Sequence, residues 1–177
     1  MQRVPNAEFP PDLRQRLEQL WGDPPNLYRA LGNHAPLAAA WTEFARAIRF
    51  ESRTPRELRE LIILRGAQLM RSEYEWAQHL KMARKAGVRE AQIAALERWR
   101  ESPEFDAREK AALLLAEAVT RADVSDAVYA EVRTQFDTAT FVELSLTAAF
   151  YAMVARMLDA MRIELEPGAR DYSPRLP

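Results

Sequence analysis

Apolar side chains recur along this chain mostly every three or four residues, which is the period of an amphipathic α-helix. No stretch alternates apolar and polar positions as a half-buried β-strand does, and only five glycines occur. The pattern therefore predicts an all-α helical bundle. Helices are predicted over residues 11–21, 26–31, 36–50, 55 to a break near 71, 73–86, 91–100, 107–121, 126–136 and 139–161.

Three of the predicted helices begin with the pattern of a capping box, at residues 54–57, 72–75 and 106–109. In this motif the first side chain accepts a hydrogen bond from the fourth backbone N–H, and the fourth side chain bonds back to the first backbone N–H. Pro55 adds a second signal, because proline is favoured at the first position of a helix. The last predicted helix, 139–161, is apolar on nearly all sides, which is typical of a buried helix.

The length of 177 residues and the content of 48% hydrophobic and 29% charged side chains fit a single globular domain. We assign residues 11–163 to that helical domain, 1–10 to a proline-containing N-terminal arm and 164–177 to a polar C-terminal arm. The net charge is −1, so no basic excess points to nucleic acid.

The chain contains no cysteine, which excludes disulfides, thiolate nucleophiles and cysteine-ligated metals. Its first residues lack the apolar segment of a signal peptide. The longest uncharged apolar run, 144–155, has twelve residues, whereas spanning a bilayer takes roughly 20. We therefore expect a cytoplasmic protein with no membrane partner.

The candidate chemistry lies around one of the two histidines. His34 stands in a turn before a helix, where an exposed or capping side chain is expected. His79 follows Glu75 by four residues, so both side chains share one helix face. Glu60 belongs to the preceding helix, in an otherwise apolar stretch. Two carboxylates and an imidazole brought together across the helix break would form an acid–base set.

Each of these residues also has a simpler structural interpretation. Ser72 and Glu75 could serve only as the cap of their helix. Glu60 could pair with Arg56 one turn earlier, and His79 could be a hydrogen-bonded histidine of the core. No metal site is predicted, because the Glu–His spacing of carboxylate-bridged metal bundles is three residues and occurs twice, whereas here it is four and occurs once.

Several separated segments, in order, resemble the carboxymuconolactone decarboxylase family, whose superfamily includes the alkylhydroperoxidase D-like proteins. The core of the resemblance is Glu60 with the stretch that reads Ser-Glu-Tyr-Glu-Trp-Ala-Gln-His over residues 72–79. Further matching segments are 26–31, 34–37, 83–88 and 150–160, so the resemblance covers roughly residues 25–163.

The resemblance also separates two branches of that superfamily. Redox relatives carry a Cys-x-x-Cys pair, and its two positions fall here on Ser72 and Glu75. Thiol peroxidase chemistry needs both thiols, so we reject it. The segment around Glu60 and His79 instead resembles the decarboxylase branch, whose members are all-helical, cofactor-free and trimeric or hexameric. One departure is Ala152, where redox relatives often carry asparagine after the preceding tyrosine.

The resemblance implies decarboxylation of a small cyclic acid, such as a carboxylated lactone. His79 would donate or shuttle the proton, Glu60 would orient it, and Glu75 would act as a second acid–base group or hold a water. The Ser72 hydroxyl, with the neighbouring backbone N–H groups, would hold an anionic part of the substrate, and Tyr74 would donate a hydrogen bond. An ionised Glu75 would repel a carboxylate substrate, so isomerisation or hydration of a less charged molecule stays open.

Two non-enzymatic functions remain as alternatives. The first is a small-ligand-binding or scaffold protein of the same fold, in which His79 would be dispensable. The second is DNA binding through a helix–turn–helix-like pattern at residues 80–96. The net charge and the absence of a clustered basic stripe disfavour DNA binding.

Overall fold

A computed structural model describes residues 2–167 of the chain. Over these residues the ordered elements are all helical, which confirms the predicted all-α class. Short 3₁₀ turns occur at Gly32–His34 and Leu96–Arg98. The α-helices are α1 (Pro11–Trp21), α2 (Asn26–Leu31), α3 (Ala35–Phe50), α4 (Arg56–Met70), α5 (Glu73–Ala86), α6 (Glu90–Ala95), α7 (Ala107–Arg121), α8 (Asp126–Arg133) and α9 (Thr138–Met161).

Helix α4 occupies the centre of the bundle and packs against α5, α7 and α9. Its apolar residues surround the helix rather than forming one stripe, so a helix of this kind needs neighbours on several sides. The main core joins α4 to α5, α7 and α9 through fully buried leucines, among them Leu61, Leu64, Leu113 and Leu144. The same central position explains how Glu60, on α4, comes to be completely buried.

Only one of the three predicted capping boxes forms completely. At the start of α7, Glu109 N–H donates to Asp106 Oδ1 over 2.7 Å, and Asp106 N–H donates to Glu109 Oε2 over 2.9 Å. The box predicted at 54–57 is wrong. The Thr54 hydroxyl and backbone N–H both donate to Glu143 of α9 instead, and α4 begins after Pro55. The carboxylate of Glu143, from another helix, has thus taken the place of the local cap.

The predicted helix boundaries differ from the observed ones by more than one residue in two places. The helix expected over 91–100 is a short α6 followed by a 3₁₀ turn, and α8 ends at Arg133 rather than near residue 136. Helix α9 is apolar, as expected, but it is not buried all round, because Val142, Leu146 and Met153 are exposed along one side.

By length and composition, α9 is the one helix among residues 2–167 that could cross a membrane. In this fold, half of its most apolar 18-residue window is buried by the other helices. A core helix of a globular bundle has these same properties.

The segments on either side of the bundle contact it closely. Near the N-terminus, Arg3 N–H donates to the Met161 carbonyl and Ala7 N–H to the Arg29 carbonyl, each over 3.0 Å. Of the predicted C-terminal arm, residues 164–167 are described, and 168–177 lie outside the described residues. Glu166 accepts a hydrogen bond from Asn26 N–H over 2.8 Å, which places this segment against the start of α2.

Candidate active site

A cavity of about 60 Å³, partly open to solvent, lies among α2, α3, α5 and α9, next to the end of α1. Most of its wall is aromatic or aliphatic, and a few polar side chains interrupt that wall. This combination is typical of small-molecule sites. The lining residues are Trp21, Pro25, Leu27, Tyr28, Trp41, Ala45, Arg49, Tyr74, Glu75, Gln78, His79, Met82, Phe150, Tyr151 and Val154.

His79 projects from α5 into this cavity and is held from behind by Glu60. The distance between His79 Nδ1 and Glu60 Oε2 is 2.8 Å, and both side chains are buried. Arg56 donates through Nε to the other oxygen, Glu60 Oε1, over 2.7 Å. The ring of Tyr151 meets the His79 ring edge to face, with centroids 4.7 Å apart. Glu60 therefore fixes both the position of the imidazole and the nitrogen that carries its proton.

The charges of this pair follow from its surroundings. Burial alone would raise the pKa of Glu60, but His79 and Arg56 together hold it below its ordinary value. Burial lowers the pKa of His79, with Arg49 and Arg56 acting in the same direction and Glu60 opposing them. At neutral pH the carboxylate is then ionised and the imidazole is neutral. The proton lies on His79 Nδ1, which donates to Glu60. Nε2 of His79 then keeps a free lone pair and can act as a base.

Glu75 has the opposite character. Its side chain is 3% exposed, and its Oε1 has no hydrogen-bond partner among the described residues. Burial raises its pKa to about 8, with the Ser72 hydroxyl acting in the lowering direction. A carboxyl group with this pKa is protonated at neutral pH and can donate a proton. The cavity therefore holds a neutral acid, Glu75, one turn of α5 away from a neutral base, His79.

The structure brings three of the five sequence-predicted site residues together and places the other two differently. Glu60 and His79 are hydrogen-bonded, and Glu75 lines the same cavity as His79. Ser72 is the N-cap of α5, where its hydroxyl accepts from Glu75 N–H over 3.5 Å, and it is not among the cavity-lining residues. Tyr74 lines the cavity, but its hydroxyl donates to Glu166 over 2.5 Å.

The simpler interpretations of these residues hold in part. Glu60 does pair with Arg56, and Ser72 does cap its helix. The Glu75 side chain makes no return bond to the Ser72 backbone, so its carboxyl group is available to the cavity. Within residues 2–167, no three histidine or acidic side chains converge to hold a metal ion.

Sequence reasoning missed several residues of the cavity, above all Arg49, Trp21 and Tyr151. Arg49 stands in the last turn of α3, where a basic residue is ordinarily read as complementing the helix dipole. Trp21 and Tyr151 come from helices distant in the sequence from α5. No local pattern could have joined them to His79, because only the packing of α1, α3 and α9 does so.

These features define an all-α helical bundle whose cavity is lined by Glu75 and His79. A sequence profile of the carboxymuconolactone decarboxylase family matches residues 35–118. The uncharacterized protein YdfG of Bacillus subtilis (strain 168) is 35% identical over 99 residues, which cover 54% of this chain and 67% of that protein. The chain belongs to the carboxymuconolactone decarboxylase family, and its lack of cysteine places it in a non-redox branch.

Solved structures share the fold at lower sequence identity. An uncharacterized peroxidase-related protein from Ralstonia eutropha JMP134, described as an alkylhydroperoxidase AhpD core, has a TM-score of 0.82 at 18% identity, covering 95% of this chain and 94% of that chain. The apo debrominase Bmp8 has a TM-score of 0.81 at 21% identity, covering 94% and 92%. These likenesses establish the alkylhydroperoxidase D-like fold.

Proposed function

We propose that the cavity catalyses cofactor-free proton transfer on a small organic acid or lactone, with decarboxylation as the leading reaction. The observation that supports this most strongly is that the buried Glu75, whose Oε1 has no partner among the described residues, lines the same cavity as His79, which Glu60 holds from behind. Two groups with opposed protonation roles in one apolar cavity are the usual basis of general acid–base catalysis.

In the decarboxylation, the bond between the substrate carbon and its carboxylate breaks and CO₂ leaves. The electron pair moves through the adjacent unsaturated system onto a carbonyl oxygen, which becomes an enolate. A proton from Glu75 then goes to carbon as the carbonyl re-forms, which leaves Glu75 ionised. His79, with its Nδ1 proton held by Glu60, relays a proton from solvent back to Glu75.

A protonated Glu75 also removes a difficulty of this reaction. An ionised carboxylate in the cavity would repel an anionic substrate, whereas a neutral carboxyl group does not. The apolar wall further favours the step, because charge spreads out as the carboxylate becomes CO₂ and an enolate. A delocalised charge is desolvated at lower cost than a localised one.

The test is CO₂ release by the purified protein from 4-carboxymuconolactone and from a panel of β-keto and vinylogous acids. Wild type is compared with His79→Gln and Glu75→Gln, and His34→Gln serves as the matched control, since His34 only caps α3. We expect turnover of at least one acid, a loss of roughly 100-fold or more in both site variants, and no loss in the control. Absence of turnover on every acid would contradict the lyase proposal and favour a binding function.

A further inference from the structure

Buried polar groups without partners are concentrated around the cavity. Among the described residues, six buried side-chain nitrogen or oxygen atoms lack a hydrogen-bond partner. Three of the six belong to residues that line this one cavity: Arg49 Nε, Glu75 Oε1 and Trp21 Nε1, which faces the Tyr28 hydroxyl without a well-formed hydrogen bond. A buried polar group left unsatisfied is destabilising. Such a cluster marks the part of the cavity wall where a bound molecule would find hydrogen-bond partners.

Arg49 stands out among the arginines of this region. Its neighbours Arg46 and Arg56 pair with carboxylates, Arg46 with Glu51 over 2.7 Å and Arg56 with Glu60. Arg49 forms no ion pair within residues 2–167. Its guanidinium lies over the Trp21 ring, 4.0 Å from the centroid, and one Nη donates to Met82 Sδ over 3.2 Å. Stacking holds the guanidinium in place without neutralising its charge.

The nearby acidic groups do not compensate for that charge. Glu60 is fully buried and already engaged by Arg56 and His79. Glu75 is protonated at neutral pH, because burial raises its pKa to about 8. Although burial lowers the pKa of Arg49 somewhat, a guanidinium stays charged under all ordinary conditions. Arg49 therefore brings a positive charge and an unpaired Nε–H donor to the cavity wall, with no carboxylate bonded to it among the described residues.

We propose that Arg49 and Trp21 form an anion-binding pair that selects ligands carrying a carboxylate on a small planar ring. The Arg49 Nε–H and Trp21 Nε1–H would donate to the carboxylate oxygens, and the aromatic wall would hold the ring. This anion site adds a substrate preference to the proposed function, and it rests on that function for the reaction. Arg49 and Trp21 take the place of Ser72 and the start of α5, which the sequence suggested as the anion site.

The carboxylate bound by this pair is one that the reaction retains. A guanidinium paired with the departing carboxylate would stabilise the negative charge on that group. The charge must move away from the carboxylate as CO₂ forms, so this pairing would slow the reaction. Bound to a second carboxylate, the same guanidinium orients the ring relative to Glu75 and His79 without opposing the reaction. Arg49 and Trp21 are thus specificity-determining residues for a ring that carries a carboxylate beyond the one that is lost.

Binding can be measured without turnover, using 2-furoate as the probe and 2-furamide as its neutral isostere. Isothermal titration calorimetry would compare wild type, Arg49→Met, Arg49→Lys and Trp21→Phe. The matched control is Arg46→Met, which removes an arginine of the same helix that faces Glu43 and Glu51 instead of the cavity. Circular dichroism would verify that each variant is folded.

We expect wild type to bind furoate at least about tenfold more tightly than furamide. Arg49→Met should abolish this preference, Trp21→Phe and Arg49→Lys should reduce it, and Arg46→Met should keep it. Equal binding of the two probes to wild type, or an equal loss in Arg46→Met, would contradict the proposal. Glu75→Gln should still prefer furoate, so a failure of catalysis and a failure of anion binding are distinguishable.

Discussion

At the scale of single residues, the proposed chemistry depends on Glu75, because burial raises the pKa of its carboxyl group and favours the neutral form. The sequence placed it on the same helix face as His79, and that prediction followed from a spacing of four residues on one helix. What the sequence could not supply was its burial, which depends on how the other helices pack around α5. The protonation state that makes Glu75 useful as an acid is therefore a tertiary property.

Stability should show this protonation directly. Folded Glu75 keeps its proton up to about pH 8, whereas the unfolded chain releases it near the ordinary value of 4.5. Between these values the folded state binds the extra proton, so the free energy of unfolding falls as pH rises, by at most about 1.4 kcal/mol per pH unit. Glu75→Gln should remove this decline and be more stable than wild type at pH 8.

Urea denaturation at pH 5 and pH 8 would measure this effect. The matched control is Glu73→Gln, which alters an exposed glutamate in the same first turn of α5. If the stability of Glu75→Gln follows that of wild type across this range, Glu75 is ionised in the folded protein and our assignment of its role is wrong.

Glu60 should act through His79 rather than on the substrate. Glu60→Gln removes the charge that holds the proton on Nδ1, so we expect activity to fall by roughly 10- to 100-fold with little change in KM. Without that charge the pKa of His79 should fall further, which an NMR titration of the ring would detect. Glu57→Gln, in the exposed first turn of α4, should change neither quantity.

At the scale of elements, local signals predicted the helices well and their caps unevenly. The capping box of Asp106 and Glu109 forms as the sequence indicates, because Glu109 accepts from the Gln92 amide with one oxygen and from Asp106 N–H with the other. Thr54 faces Glu143 from α9, and a charged acceptor displaces the local bond. The fold class was predictable because helical periodicity is local, whereas the exchange at Thr54 was not, because it depends on which helix packs nearby.

The segment that carries Glu166 is bonded to two residues that line the cavity, Tyr74 and Gln78. Glu166 accepts hydrogen bonds from the Tyr74 hydroxyl, the Gln78 amide and the Asn26 backbone N–H. Glu166→Ala should destabilise the fold by about 1 kcal/mol, because three donors of α2 and α5 lose their acceptor in a half-exposed setting. Urea denaturation would measure this, with exposed Glu131→Ala as the control. Equal stability of the two variants would mean that Glu166 does not hold this segment.

At the scale of the whole molecule, one surface exposes apolar side chains that nothing in the described part of the isolated chain covers. Exposed apolar residues follow α3 and α9, with Phe44, Val142 and Leu146 lining one groove. Monomeric proteins rarely expose large contiguous apolar patches. The homotrimer or homohexamer that the family resemblance implies stays a prediction, and we expect this groove to bind a second copy of the chain.

Leu146→Glu should shift the protein to a smaller assembly, because it places a charge in the expected interface. Light scattering coupled to gel filtration would report the mass. The control is Val124→Glu, which charges an exposed apolar residue between α7 and α8 and should leave the mass unchanged. A monomeric wild type, or an unchanged mass for Leu146→Glu, would contradict this use of the groove.

The proposed mechanism requires that the cavity hold a protonated carboxylic acid, Glu75, at neutral pH. Infrared difference spectroscopy of wild type against Glu75→Gln measures this directly and needs no substrate. We predict a protonated carboxyl band that is present at pH 7 and disappears around pH 8. A band already lost by pH 6 would show that Glu75 is ionised at neutral pH and would contradict the proposed acid–base mechanism.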